Sequence, residues 1–572
     1  MLVVPFISGT AQQMDDYPAI RAEMEDLISG KMNSDNLVGV SAAIIIDDSV
    51  IWKKAFGYAD RENGIPMTEK TVVNIASITK TFTALAVMQL QEQGLLDIGQ
   101  PLGTYLPGFR PMTRGEDLNR LTVKSVITHS SGLQTDILKN SDLRTGKYTD
   151  VLGYINETYL LYPPGMVESY SSAGYNILGH LIKEVSSLDY PDYIHRNILA
   201  PLGMTRSGFF MDSLPGTTRI YAGGQAQEEI SFRDIASGGI YASLDDLLLY
   251  AQGLMNAWNG DGNQVVGTST IREMFTLRTG DVLLESNRKG LGWFMFANDT
   301  VFAVTHAGDG ISGHSVLILL PEKKAAGMIL INSAEGESLK AEFSNRFIRH
   351  AGLSIPDIIP GNVIQVTRQE TEPVILPAGT LAAHTGDYNQ GFSFVTVSAA
   401  GDHLVLEKNN TKILLKPLTE NEFIPWVEHG EDSQVEKSTE RYCFLDSCGF
   451  HMLFHESGHH ESRLGYRLNP FDPSLFRDWL GNYEHYGYQL IAGDTKFKGA
   501  GLSLSNDRVL MLNLVAYDGE YAFPLNVISS EYAVTGGMGS GFGFTVRFRE
   551  DDLYRIIDFG GITFRSSKTV PF

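Results

Sequence analysis

Ser77 and Lys80 stand three residues apart in Ala76-Ser77-Ile78-Thr79-Lys80, at the head of an apolar, helix-periodic stretch that Gly94 ends. Residues three apart on a helix share a face. A serine hydroxyl is a weak nucleophile until a base takes its proton. Lysine can be that base only when neutral, which requires burial or a nearby cation. A serine in the first turn also gains from the positive end of the helix dipole, and its own N–H can point into an oxyanion hole. Alone, the pair fits a solvated helix face better than a catalytic dyad, so the context has to decide.

Two further segments supply that context. Pro163-Pro-Gly165-Met-Val-Glu-Ser-Tyr170-Ser171-Ser172-Ala-Gly174-Tyr175 offers a tyrosine, and His306-Ala307-Gly308 ends an expected strand. With these the chain resembles the serine β-lactamase/penicillin-recognising superfamily, on the branch of class C β-lactamases, D-aminopeptidases, DD-carboxypeptidases and family VIII esterases. Further stretches carry the resemblance over roughly residues 20–350: Gly94-Leu-Leu-Asp97 with Tyr105-Leu-Pro107, Thr128-His129-Ser130-Ser131-Gly132-Leu133, Pro201-Leu-Gly-Met204 and Ala236-Ser-Gly238-Gly239.

The resemblance implies Ser77 as the nucleophile of an acyl-enzyme and Lys80 as its base or proton relay. Tyr170 would open the family's Tyr-x-Asn element and exchange protons with Ser77 and the leaving group, as phenol or phenolate. Ser172 stands where many relatives carry Asn. His306 replaces the lysine of the Lys-Thr-Gly element, with Gly308 beside it on the substrate-facing strand. There His306 would hold a substrate carboxylate or polarise Tyr170. Backbone N–H groups of Ser77 and Asp309 would form the oxyanion hole. His129 is expected to be structural, fixing a turn before Gly132. The mechanism calls for no metal and no cofactor.

The shorter Ser172 side chain and the histidine at 306 both lean away from β-lactam hydrolysis. The favoured reading is a peptidase or amidase of the D-aminopeptidase or DD-carboxypeptidase kind, acting on small or D-amino-acid-containing peptides. A family VIII-type carboxylesterase or acyltransferase is the alternative, and a catalytically silent penicillin-binding-like sensor a third. Small peptide, amide or ester substrates are the expected partners, and a homo-oligomer is left open.

The elements that must position these groups follow from pattern. A helix is expected over Asp15–Gly30, strands over Val38–Ile46 and Val50–Tyr58, and a helix over Ser77–Gln93. Strands return at Val301–Thr305, Ser315–Leu320 and Ala326–Ile331, before a helix over Leu339–His350. Strands at both ends with helices between predict one domain whose sheet joins sequence-distant strands. The resemblance names this as an α+β, β-lactamase/transpeptidase-like domain over 1–355, an antiparallel sheet flanked by helices plus a mainly helical subdomain. Prolines mark 356–379 as a linker. Two all-β, lipocalin-like barrel domains are expected at 380–470 and 471–572. Gly386-Asp-Tyr388 and Gly481-Asn-Tyr483 would head two copies of one unit.

The chain has 572 residues and a formal charge of −22, which disfavours nucleic acid as a partner. No stretch of about 20 apolar residues calls for a membrane-spanning helix. Residues 1–13 read either as the tail of a secretory signal, which means a periplasmic or secreted protein, or as a native N-terminus and a cytoplasmic one. Cys443 and Cys448 flank Phe-Leu-Asp-Ser, where a hairpin turn would let them pair. His455-Glu-Ser-Gly-His459 matches a zinc-protease pattern that works only on a helix, and its flanks read as strands. The glycine-rich loop at 535–543 is expected to be flexible; by analogy with the D-aminopeptidases it would enter the active-site cleft.

Overall fold

In the computed structural model, residues 17–567 are described apart from 142–145, 211–212, 229–231, 262–264, 277–288, 298–301, 311–312, 352–371, 409–410, 427–439, 448, 458–459, 487–496, 517–518 and 537–542. The signal-like segment, most of the linker, Cys448, His459 and the tip of the glycine-rich loop therefore lie outside the described residues.

A seven-stranded antiparallel sheet organises the first domain. Its strands are β1 (Gly39–Ile46), β2 (Ser49–Asp60), β3 (Ile65–Pro66), β4 (Phe294–Ala297), β5 (Phe302–Gly310), β6 (Gly313–Leu320) and β7 (Ala325–Ile331), in spatial order β3-β2-β1-β7-β6-β5-β4. Val40 pairs with Ile331, so the sheet is closed between the two ends of the domain. All eight residues of β1 are buried, as its near-unbroken apolar run requires of a strand covered on both faces.

One face is covered by α1 (Tyr17–Ser34) and α5 (Glu337–His350). Ile20, Met24, Leu27 and Ile28 of α1, and Leu339, Phe343 and Phe347 of α5, recur at helical spacing and close a core against Ile44, Ile318 and Ile329. The other face carries the helical subdomain, built around α2 (Thr79–Glu92), α3 (Ser172–Ser186) and α4 (Leu244–Asn259). Every residue of α2 from Thr79 to Leu90 is buried, so it is a central helix and not an amphipathic surface one.

The C-terminal residues form two antiparallel β units. Eight strands from Gly386 to Arg467 close a barrel, and nine from Gly481 to Ser567 form a strongly curved sheet. The two glycine-tyrosine triplets open the first strand of each. Tyr388 donates its hydroxyl to His384 O at 2.7 Å, and Tyr483 donates to Trp479 O at 2.6 Å. Each buried tyrosine thus ties the strand to the short helix four residues earlier, the same device used twice.

One sequence expectation shifts here, and a second is met. Phe444–Ser447 is part of a strand, Arg441–Ser447, and the hairpin reverses after it, around Gly449 at φ +83°. The alternation of buried Tyr442 and Phe444 with Cys443 and exposed Leu445 suits a strand better than the turn expected there. His455 and Glu456 lie in the strand Phe450–Ser457, paired on both sides, so this pattern is not helical. Among the described residues no helix is long and apolar enough to cross a membrane.

Candidate active site

Ser77 lies in a 3-10 turn, Ala76–Ile78, just ahead of α2, not in the α-helix itself. Ala76 has φ +44°, a left-handed conformation that costs a non-glycine residue about 1–2 kcal/mol. Its neighbours hold it there. Ala76 N–H donates to Asn74 Oδ1 at 2.8 Å, and Asn74 Nδ2 donates to Gly238 O at 3.2 Å. Strand β5 presses on the turn from the other side. A Cβ on Gly308 would sit 2.2 Å from Ile75 O, and Ser315 Oγ donates to that same carbonyl at 3.0 Å. Gly308 is therefore needed for close approach of the sheet edge to the turn that carries Ser77.

Lys80 is 1% exposed. Its Nζ donates to Ser77 Oγ at 3.1 Å and to Ser237 O at 2.8 Å, and lies 4.8 Å from the Tyr170 ring centroid. Burial lowers its pKa to about 7, against the opposing pull of Asp136 and Asp234. A large neutral fraction at neutral pH is what a lysine base needs. Tyr170 shares a hydrogen bond with Ser77, and burial holds its hydroxyl well above the ordinary tyrosine range. Of the two forms left open by the sequence, the phenol is the one present at neutral pH.

His129 fixes the segment that carries Tyr170. At φ +58°, it accepts from Ser169 N–H on its carbonyl at 2.8 Å and from Ser171 N–H on Nδ1 at 3.0 Å, while its ring packs 4.4 Å from that of Tyr170. Burial, with the charges of Lys289 and Lys80, keeps it neutral, which suits an Nδ1 that accepts.

Ser172 begins α3, and its hydroxyl bonds to Asp136. His306 is 3% exposed; its Nδ1–H is directed to Ala307 O at 2.7 Å, which leaves Nε2 as an acceptor. Burial, then the charge of Lys80, lowers its pKa to about 3. Next to it lies a buried ion pair of Lys289 with Glu168, the lysine over the Phe294 ring and that ring 5.3 Å from His306. The Asp309 side chain is engaged toward α5. It accepts from His314 Nδ1 at 2.6 Å and pairs with Lys340; these contacts outweigh burial and hold its carboxyl well below the usual range. Only its backbone can serve the site. Asp309, His314 and Glu337 could together ligate a cation, but the Lys340 ammonium already bridges Asp309 and Glu337.

The structure thus gathers Ser77, Lys80, Tyr170, Ser172 and His306 into one cluster, with Gly308 behind the turn. It adds Asn74, Asp136, Asp234, Tyr175 and the Lys289–Glu168 pair, which sequence reasoning missed. No spacing rule connects Asp136 to Ser77. The one available signal was its place three residues beyond Leu133 in the Thr-His-Ser-Ser-Gly-Leu motif.

With this geometry in hand, comparison with known proteins gives the class. The beta-lactamase family profile matches residues 24–351, more than half of the chain, and the chain belongs to that family. Protein flp of Staphylococcus aureus (strain MRSA252) is 24% identical over 351 residues, covering 58% of this chain and 66% of that protein, just under two thirds of its length. Beta-lactamase-like protein 2 of Dictyostelium discoideum is 24% identical over 330 residues, 54% of this chain and 58% of that protein. Among solved structures, SurE aligns with a TM-score of 0.56 at 22% identity over 79% of this chain and all of its own. The octameric penicillin-binding protein homologue from Pyrococcus abyssi aligns with a TM-score of 0.51 at 23% identity, covering 78% of this chain and 99% of that one. These likenesses establish the fold: a beta-lactamase-like α+β domain followed by closed or nearly closed antiparallel β barrels.

Proposed function

We propose that the chain is a serine hydrolase that works through an acyl-enzyme on Ser77, with small peptides or amides as its substrates. The observation that carries this reading is the Lys80 ammonium nitrogen 3.1 Å from Ser77 Oγ, in a site dry enough to bring its pKa to about 7. Neutral Lys80 takes the Ser77 proton as Oγ attacks the carbonyl carbon. The oxyanion forms against backbone N–H groups of Ser77 and Asp309. The Tyr170 phenol gives a proton to the leaving group and is restored through Lys80. Water then attacks the ester, with the same groups acting in reverse.

His306, neutral and with only Nε2 unengaged, is a poor carboxylate holder. The role of a neutral hydrogen-bond acceptor suits it better. The Ser172 hydroxyl is committed to Asp136, so it does not stand in for an asparagine amide. Both features favour an amidase or the alternative esterase over a β-lactam hydrolase. The Pyrococcus abyssi homologue, described as octameric, supports self-assembly of this chain as well.

A substrate panel tests the reading: D- and L-aminoacyl amides, short p-nitrophenyl esters and a chromogenic cephalosporin. Turnover of amides and esters is expected, with the cephalosporin at least about 100-fold slower in kcat/KM, the worth of roughly two misplaced hydrogen bonds. A cephalosporin preferred over every amide and ester contradicts it. No turnover of any member, with no adduct on Ser77, favours the silent sensor.

A further inference from the structure

Asp136 is a half-buried carboxylate whose charge acts on Lys80 and Tyr170 and which the mechanism above does not use. The Ser172 hydroxyl hydrogen-bonds to it, and the charges of Asp234, Lys80 and Arg233 act on it. The ionised carboxylate has no proton to give, so Ser172 donates to it. The serine oxygen then presents only lone pairs, and the Asp136–Ser172 pair is an acceptor-only surface two residues along the chain from Tyr170.

The local charges do not balance. Asp234 is paired with Arg233 at 2.6 Å. Lys80 is the other cation, but as the base it must be neutral when Ser77 reacts. Asp136 then stands one positive charge short, and burial together with the charge of Asp234 raises its pKa to about 6. A half-buried carboxylate in this position is stabilised by a cation that arrives with the substrate.

The loop is also built to hold Asp136 still. Arg233, wholly buried, donates to Ile137 O at 2.6 Å and to Lys139 O, and its N–H donates to Ser141 O at 2.8 Å. From the other side the second β unit grips the same loop. Thr135 N–H donates to Gly543 O at 3.0 Å, Gly543 N–H returns to Thr135 Oγ1 at 3.1 Å, and Leu138 N–H donates to Gly560 O at 2.9 Å. Thr135 O meanwhile accepts from Ser172 N–H at 2.8 Å. A rigid, acceptor-only, anionic surface beside the nucleophile matches a donor-rich cation.

We propose that Asp136, with Ser172, forms the subsite for a free ammonium group adjacent to the scissile carbonyl, so that the preferred substrates are α-aminoacyl amides and esters. Asp136 is thus a specificity-determining residue, and its placement depends on the second β unit. The inference rests on the acyl-enzyme reading of Ser77.

The test uses the full chain at pH 7 and three p-nitrophenyl esters of matched size: aminoacyl, N-acetylaminoacyl and des-amino. The native protein should prefer the aminoacyl ester over both others by about 10- to 100-fold in kcat/KM, the range of a charge-assisted hydrogen bond. In Asp136→Asn that preference should collapse to within about threefold, chiefly through KM. Taking the ratio between substrates cancels any change in Lys80 or in the amount of folded protein. A native protein indifferent to the amine overturns the inference without any variant. Equal losses on all three esters in Asp136→Asn also overturn it, because they mark a purely structural role. If turnover survives in Ser77→Ala, the acyl-enzyme reading fails and takes the inference with it. Ser77-dependent turnover with an unchanged ratio removes the inference alone.

Discussion

Lys80→Met lowers kcat/KM for a short p-nitrophenyl ester by about 10³- to 10⁴-fold, at the upper end of what a general base supplies. Methionine matches the stem length and suits a buried site, so the loss is that of the base and not of packing. The pH profile makes the assignment specific. Burial brings the Lys80 pKa down to about 7. Below that pH the protonated ammonium cannot accept the Ser77 proton, so native activity should fall about tenfold per pH unit on the acid side. The residual activity of Lys80→Met should lack that limb. Stability should move in a related way. A lysine whose folded pKa lies below its unfolded value destabilises the fold at neutral pH and is relieved as pH rises from about 7 toward 10.5. The melting temperature of the native protein should therefore gain on that of the variant across this window. A variant that keeps the acid limb, or loses less than tenfold, shows that Lys80 is not the base.

Tyr170→Phe carries the second large effect, and its size depends on the leaving group. An amine leaving group must be protonated as the C–N bond breaks, whereas p-nitrophenolate leaves unaided. Since burial keeps Tyr170 a phenol, kcat/KM for an aminoacyl amide should fall by about 10²- to 10⁴-fold. The loss on a p-nitrophenyl ester should be at least tenfold smaller. The ring remains, so the packing with His129 and Lys80 is preserved. Equal losses on both substrates would instead assign Tyr170 to the serine-activation step.

That Ser77, Lys80, Tyr170 and the His306 strand belong together was legible because each sits in a short contiguous motif. The sheet was legible for a similar reason: β1, β6 and β7 are apolar runs that only a doubly covered strand explains. Local physics hid other features. The 3-10 geometry at Ser77 follows from the strained Ala76, and that strain is held by Asn74 and by Gly308 from a strand more than 200 residues away. Strand β5 runs on to Gly310, beyond the expected end at Thr305, because His306 and Gly308 continue the pairing with β6 despite their unpromising β-propensity. Asp136 was invisible because its meaning depends on three partners from separate elements: Ser172, Arg233 and the second β unit. The Ser172 substitution was noticed in the sequence, but that its hydroxyl would be captured by Asp136 could not be read there.

The central claim is that Ser77 Oγ becomes covalently acylated. The direct measurement is intact-protein mass spectrometry after brief exposure to a fluorophosphonate at pH 8, with peptide mapping of the adduct, on the native chain and on Ser77→Ala. The account predicts one stoichiometric adduct, located on the peptide that contains Ser77 and absent from the variant. An adduct of equal yield in Ser77→Ala, or one mapped to another residue of the native chain, would contradict it.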